Sequence, residues 1–148
     1  MARWAARVLV AVCLAVDAYI HLKLASTRPP ASPGSISQGT LFYAQGGVAI
    51  LAAPLVVFRG TRATYGFAFL VAASALAAVL ICRYIDVGAL GPIPDMYEPA
   101  WYTTKIITTI AEAVALPAAL AGFLTARQGQ SPAAGASRAR PDPDRSMR

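Results

Sequence analysis

Asp17, His21, Gln45, Arg83 and Glu112 sit in stretches of sequence that are otherwise apolar. In a bilayer a central carboxylate or guanidinium costs roughly 2.5–3.5 kcal/mol on insertion scales, so each of these groups needs a partner, water or a site. Helical spacing organises them further. Cys13, Asp17 and His21 follow at four-residue steps, and Lys105, Thr108, Thr109 and Glu112 fall along a second stripe. With both stripes facing inward, Asp17 and Glu112 are expected to share Arg83, while His21, Gln45 and the threonines complete the hydrogen bonds. The candidate polar layer or ligand site is therefore Asp17, His21, Gln45, Arg83, Lys105, Thr108 and Glu112.

Such a layer has several chemical readings. The first is a buried ion-pair and hydrogen-bond network that fixes helix order, because one arginine and a histidine balance two acids without any ligand. The second is a small-molecule or proton-handling pocket opening to the outer face. A metal site from His21, Asp17 and Glu112 has one histidine where the usual signatures have more, so no metal is assigned. His21 offers haem a single axial ligand and no CxxCH motif accompanies it, so no cofactor is expected. Cys13 and Cys82 are too far apart for a CxxC redox pair, and Cys13 reads as packing. The GxxxxGK[ST], GxSxG and HExxH motifs are absent, and with them the familiar enzyme classes they mark; no catalytic residue is assigned.

The elements that must position this layer follow from composition. Of 148 residues, 57% are hydrophobic and 14% charged, and the mean hydropathy is +0.53, outside the range of ordinary soluble domains. Four apolar windows run from about Trp4 to Leu24, Thr40 to Phe58, Ala63 to Ile85 and Thr103 to Leu124. Each covers roughly 28–35 Å as a helix, matching a hydrocarbon core of about 30 Å. The windows lack a two-residue alternation, and lipid offers the backbone no partner, so helix is the physical choice. The expected fold is all-α: a four-helix transmembrane bundle over residues 1–125.

Small residues recur at four-residue spacing, Ala68 with Ala72, Ala73 with Ala77, and Ala111 with Ala115 and Ala119, which favours close helix packing. Pro54 and Pro117 fall inside the second and fourth windows and are expected to bend them. Arg59-Gly60-Thr61-Arg62 is a tight connection that makes the second and third helices antiparallel neighbours. Although Arg3 and Arg7 precede an apolar run ending near Val16-Asp17-Ala18, apolar character resumes to Leu24, which suits a retained signal anchor better than a cleaved leader. Residues 126–148 turn to Gln, Ser, Pro, Gly and Arg and are expected to be a disordered cytoplasmic tail.

Orientation rests on the basic residues. With both termini in the cytoplasm, the inner side receives nine of the 13 Lys and Arg residues and the outer side Lys23, Arg28, Arg83 and Lys105. Trp4 at one end and Tyr84, Tyr97, Trp101 and Tyr102 at the other read as interfacial anchors. The net charge of +6 is dispersed among apolar stretches, so the expected partners are the bilayer and a homo-oligomer or membrane-complex subunit, and not nucleic acid. A duplicated two-helix unit, suggested by the placement of Gln45 and Glu112, fails because Pro54 and Pro117 do not keep register with them.

Asp17-Ala18-Tyr19-Ile20-His21-Leu22, Gly39-Thr40-Leu41-Phe42-Tyr43-Ala44-Gln45, and Tyr97-Glu98-Pro99-Ala100-Trp101-Tyr102 with Lys105 and Ala111-Glu112-Ala113 resemble a set of small actinobacterial integral membrane proteins of unknown function. The likeness covers residues 10 to 125. More distantly, the four-helix size and the His near the end of the first helix resemble DoxX-like membrane proteins, some linked to redox or quinone chemistry. The first likeness carries no reaction with it, so the functional expectation comes from the polar layer: a plasma-membrane protein that is noncatalytic or an accessory subunit, with a small transporter or quinone/redox-linked component binding a ligand at that layer as the alternative.

Overall fold

The computed structural model describes residues 2–31 and 33–126. Four helices fill it: α1 (Ala2–Ala25), α2 (Gln38–Phe58), α3 (Arg62–Tyr84) and α4 (Thr103–Thr125). All four are long and apolar enough to cross a membrane, so the chain has the architecture of a multi-pass membrane protein. The observed helix bounds lie within two residues of the expected windows. The expected tail lies almost wholly outside the described residues.

Local chemistry fixes the starts of the middle helices. The Ser37 hydroxyl accepts from the Thr40 N–H at 2.9 Å and caps α2, while Thr61 and Thr64 form a reciprocal capping box on α3. Gly60 between them has φ +54°, and a Cβ there would run into the Arg7 guanidinium. Arg7 in turn donates to the Val57 carbonyl at 3.3 Å, covering an otherwise free acceptor at the end of α2. Both α2 and α4 continue as helix through Pro54 and Pro117.

Each helix packs on its neighbours in chain order, and α4 closes the ring on α1. The broadest interface is α1 with α2, although a longer connection joins them than joins α2 to α3. Gly46 explains the close approach, since a Cβ there would lie 2.9 Å from Leu22 Cγ and 3.3 Å from the Ala18 carbonyl. Of the small-residue rows, Ala68 with Ala72 and Ala111 with Ala115 and Ala119 are buried, whereas Ala73 and Ala77 lie outside the core. Val10, Leu14, Ala49, Ala52, Val56 and Tyr65 build the main apolar cluster with Ala68 and Ala119, and Ala72, Ala111 and Ala115 form a second one. The polar layer lies between that core and the end carrying the 26–37 and 85–102 connections, here called the loop end.

Candidate functional site

Asp17 is the hub of a cluster drawn from three helices. It is 1% exposed, and four-residue spacing on α1 brings His21 Nδ1 to 2.8 Å from Asp17 Oδ1. The same nitrogen lies 3.0 Å from the Asp17 main-chain carbonyl. From α2, Gln45 Nε2 donates to Asp17 Oδ2 at 3.1 Å and reaches the Val71 carbonyl of α3 at 3.4 Å. From α4, the Thr108 hydroxyl is 3.2 Å from Asp17 Oδ1 and 3.4 Å from Glu112 Oε1.

Glu112, also 1% exposed, is the least satisfied member. A hydroxyl carries one hydrogen, so Thr108 donates to Asp17 or to Glu112 but not to both at once. Glu112 Oε2 is buried and has no hydrogen-bond partner at all. One donor atom each from Asp17, His21 and Glu112 falls within 4.8 Å of the others. Two carboxyls therefore face one imidazole, and full ionisation leaves one negative charge uncompensated.

Arg83 does not supply that compensation. Among the described residues, the ion pair at Asp17 is with His21, and no lysine or arginine pairs with Asp17 or Glu112. The guanidinium of Arg83 instead stacks over Tyr84 at 5.0 Å and Trp101 at 5.7 Å. Depth explains the separation. Arg83 is one residue from the end of α3, while Asp17 and Glu112 lie about 12–14 Å inside α1 and α4 at 1.5 Å per residue. The sharing of Arg83 expected from the sequence is thus replaced by two separate levels.

Lys105 belongs to the upper level. It is buried and donates to the carbonyls of Glu98 at 2.6 Å and Ala100 at 3.1 Å, pinning the 85–102 connection over the bundle. The Glu98 N–H donates to the Cys82 carbonyl at 2.8 Å, and the Ile36 N–H to the Pro92 carbonyl at 2.7 Å, which ties the two long connections together. Thr109 turns back to the Lys105 carbonyl at 2.7 Å and takes no part in the cluster. Cys13, on the stripe of Asp17, packs with Ala72, Ala111 and Ala115.

Of the seven candidate residues, Asp17, His21, Gln45, Thr108 and Glu112 come together, and Arg83 and Lys105 do not join them. Sequence reasoning missed two contributors. The Phe42 ring meets His21 edge-on at 5.4 Å and carries Arg28 at 5.6 Å on its face; its position three residues before Gln45, one helical turn, was the available signal. The Val71 carbonyl has no side-chain signature. An open apolar groove of about 510 Å³ runs outside the bundle between α1 and α4, past Val12, Val16, Tyr19 and Ile107, and no side chain of the cluster lines it. Trp4, Tyr84, Tyr97 and Trp101 are exposed, and Tyr102 is half-buried. Comparison with protein families, curated proteins and solved structures finds no match to this chain.

Proposed function

We propose that this membrane protein uses the Asp17–His21–Glu112 cluster as a ligand site, in the manner of a small transporter or a ligand-binding membrane subunit, with the loop end facing outward and both termini in the cytoplasm. One observation carries the reading: Glu112 is buried with Oε2 unpartnered beside a second carboxyl, and the arginine that would make the layer a self-sufficient ion-pair network stacks on aromatic rings instead. A buried carboxyl held without a partner is a cost to the fold, and such costs inside membranes mark functional sites. Melting of Glu112→Gln in detergent, with chelator present, tests this. An amide removes the repulsion from Asp17 and keeps the Thr108 contact, so the variant is expected to melt at or above the wild-type temperature. A loss of several kcal/mol would return the cluster to a purely structural role.

A further inference from the structure

We infer that Asp17, His21 and Glu112 bind a divalent transition-metal ion of the manganese, iron or zinc class between α1 and α4. This rests on the reading of the cluster as a ligand site and names its ligand. Geometry is the first argument. Bonds of about 2.0–2.2 Å hold two ligands of one ion about 3–3.5 Å apart at tetrahedral or cis angles and at most about 4.4 Å apart in line, and the three donor atoms here lie within 4.8 Å of one another. An inward movement of roughly 1–2 Å completes the set. Glu112 Oε2 can make that movement at no cost in hydrogen bonds, because it holds none.

The supporting contacts also suit a metal. Gln45 Nε2 fixes Oδ2 of Asp17, while Oδ1 faces His21 Nδ1 at 2.8 Å and the Thr108 hydroxyl at 3.2 Å. Thr108 lies beside Glu112 Oε1 as well as Asp17 Oδ1, and whichever it donates to, Glu112 Oε2 stays available. Partners of this kind orient ligating carboxylates and hold them against rotation. Phe42 packs its ring against the imidazole and restricts that side chain as well. His21, with 12% of its side chain exposed against 2% for Asp17, is the member nearest an entry route.

Charge and donor type narrow the ion. Two carboxylates and a neutral imidazole neutralise a divalent cation, whereas a monovalent one leaves a net negative charge in a low-dielectric interior. One nitrogen and two oxygen donors suit manganese, iron or zinc. Calcium takes six to eight oxygens, magnesium keeps its waters, and copper(I) seeks thiolates or thioethers. The exposed acids Asp86 and Asp95 bind main-chain N–H groups of their own turns at 3.2 and 2.9 Å and form no such set.

The test uses tag-free full-length protein in detergent, stripped with chelator and then titrated with Mn²⁺ or Zn²⁺, with Mg²⁺ as the comparison. Melting temperature and metal content after desalting are both read, for wild type, Glu112→Gln, His21→Gln and the paired surface variant Asp86→Asn with Asp95→Asn. The expected result is about one retained ion per chain and a rise of roughly 4–8 °C with Mn²⁺ or Zn²⁺. Both effects should disappear in Glu112→Gln and His21→Gln and persist in the surface variant. Absence of retention and shift in wild type overturns the metal, as does binding that survives Glu112→Gln and His21→Gln. Glu112→Gln without metal separates the two levels of inference: if it melts normally while wild type ignores metals, the metal falls and the ligand site stands; if it melts far lower, the ligand site falls too.

Discussion

Asp17 meets a histidine, a glutamine and a threonine from three helices, so its removal leaves three polar groups without their shared acceptor. Asp17→Ala is expected to cost about 3–5 kcal/mol, the range for breaking a buried pair from one side. Arg83→Ala removes a partly exposed stacking contact and should cost no more than about 1 kcal/mol. The two changes should add to within about 0.5 kcal/mol, because the residues occupy different levels of the bundle. Denaturation of the double variant measures this, and a coupling of 2 kcal/mol or more would mean that Arg83 reaches the carboxyls after all. At this scale the sequence was informative about residues sharing a helix face. Asp17 with His21, and Thr108 with Glu112, follow directly from four-residue spacing. Arg83 was misplaced because facing stripes say nothing of depth along the bundle, and a rival partner, Trp101, arrives through a connection whose path no periodicity records.

Helix existence and length were legible because hydropathy over about 20 residues is a long-range signal, insensitive to any one position. Helix facing was legible only in part. Ala68 with Ala72 faces the core and Ala73 with Ala77 does not, yet the two rows have the same four-residue spacing and differ by a rotation of about 100°. Adjacent glycines in α2 turn this into a measurement. At Gly46 a Cβ would stand 2.9 Å from Leu22 Cγ, whereas at Gly47 nothing lies within 4 Å. Gly46→Ala should therefore push α1 from α2 and destabilise the bundle by about 1–3 kcal/mol. Gly47→Ala should be neutral or stabilising by up to about 1 kcal/mol, since alanine loses less backbone freedom on folding. Equal effects of the two changes on thermal melting would contradict the close α1–α2 packing.

Small residues at the helix contacts leave much of each helix facing outward, and Leu9, Val12, Ile50, Leu51, Leu70, Ile106 and Ile110 form an apolar exterior suited to lipid. Across such a molecule the ends differ in charge. Arg7, Arg59 and Arg62 lie at the end with the short turn, and Lys23, Arg28, Arg83 and Lys105 at the loop end. Counted near the membrane alone the balance is close, and Lys105 and Arg83 weigh less than a free loop cation: the first is buried against main-chain carbonyls and the second stacks on aromatic rings. Discounting those two leaves the short-turn end the more basic, which by the positive-inside bias supports the proposed orientation with that end in the cytoplasm. A cysteine introduced at exposed Ala89, in a background of Cys13→Ala and Cys82→Ser, should then react with a membrane-impermeant maleimide on intact cells. One at exposed Ala63 should react only after permeabilisation. The reverse pattern would invert the bundle and turn the loop end, with His21 as the cluster member closest to it, toward the cytoplasm; the metal inferred at Asp17, His21 and Glu112 would then have to be drawn from the cytoplasmic pool.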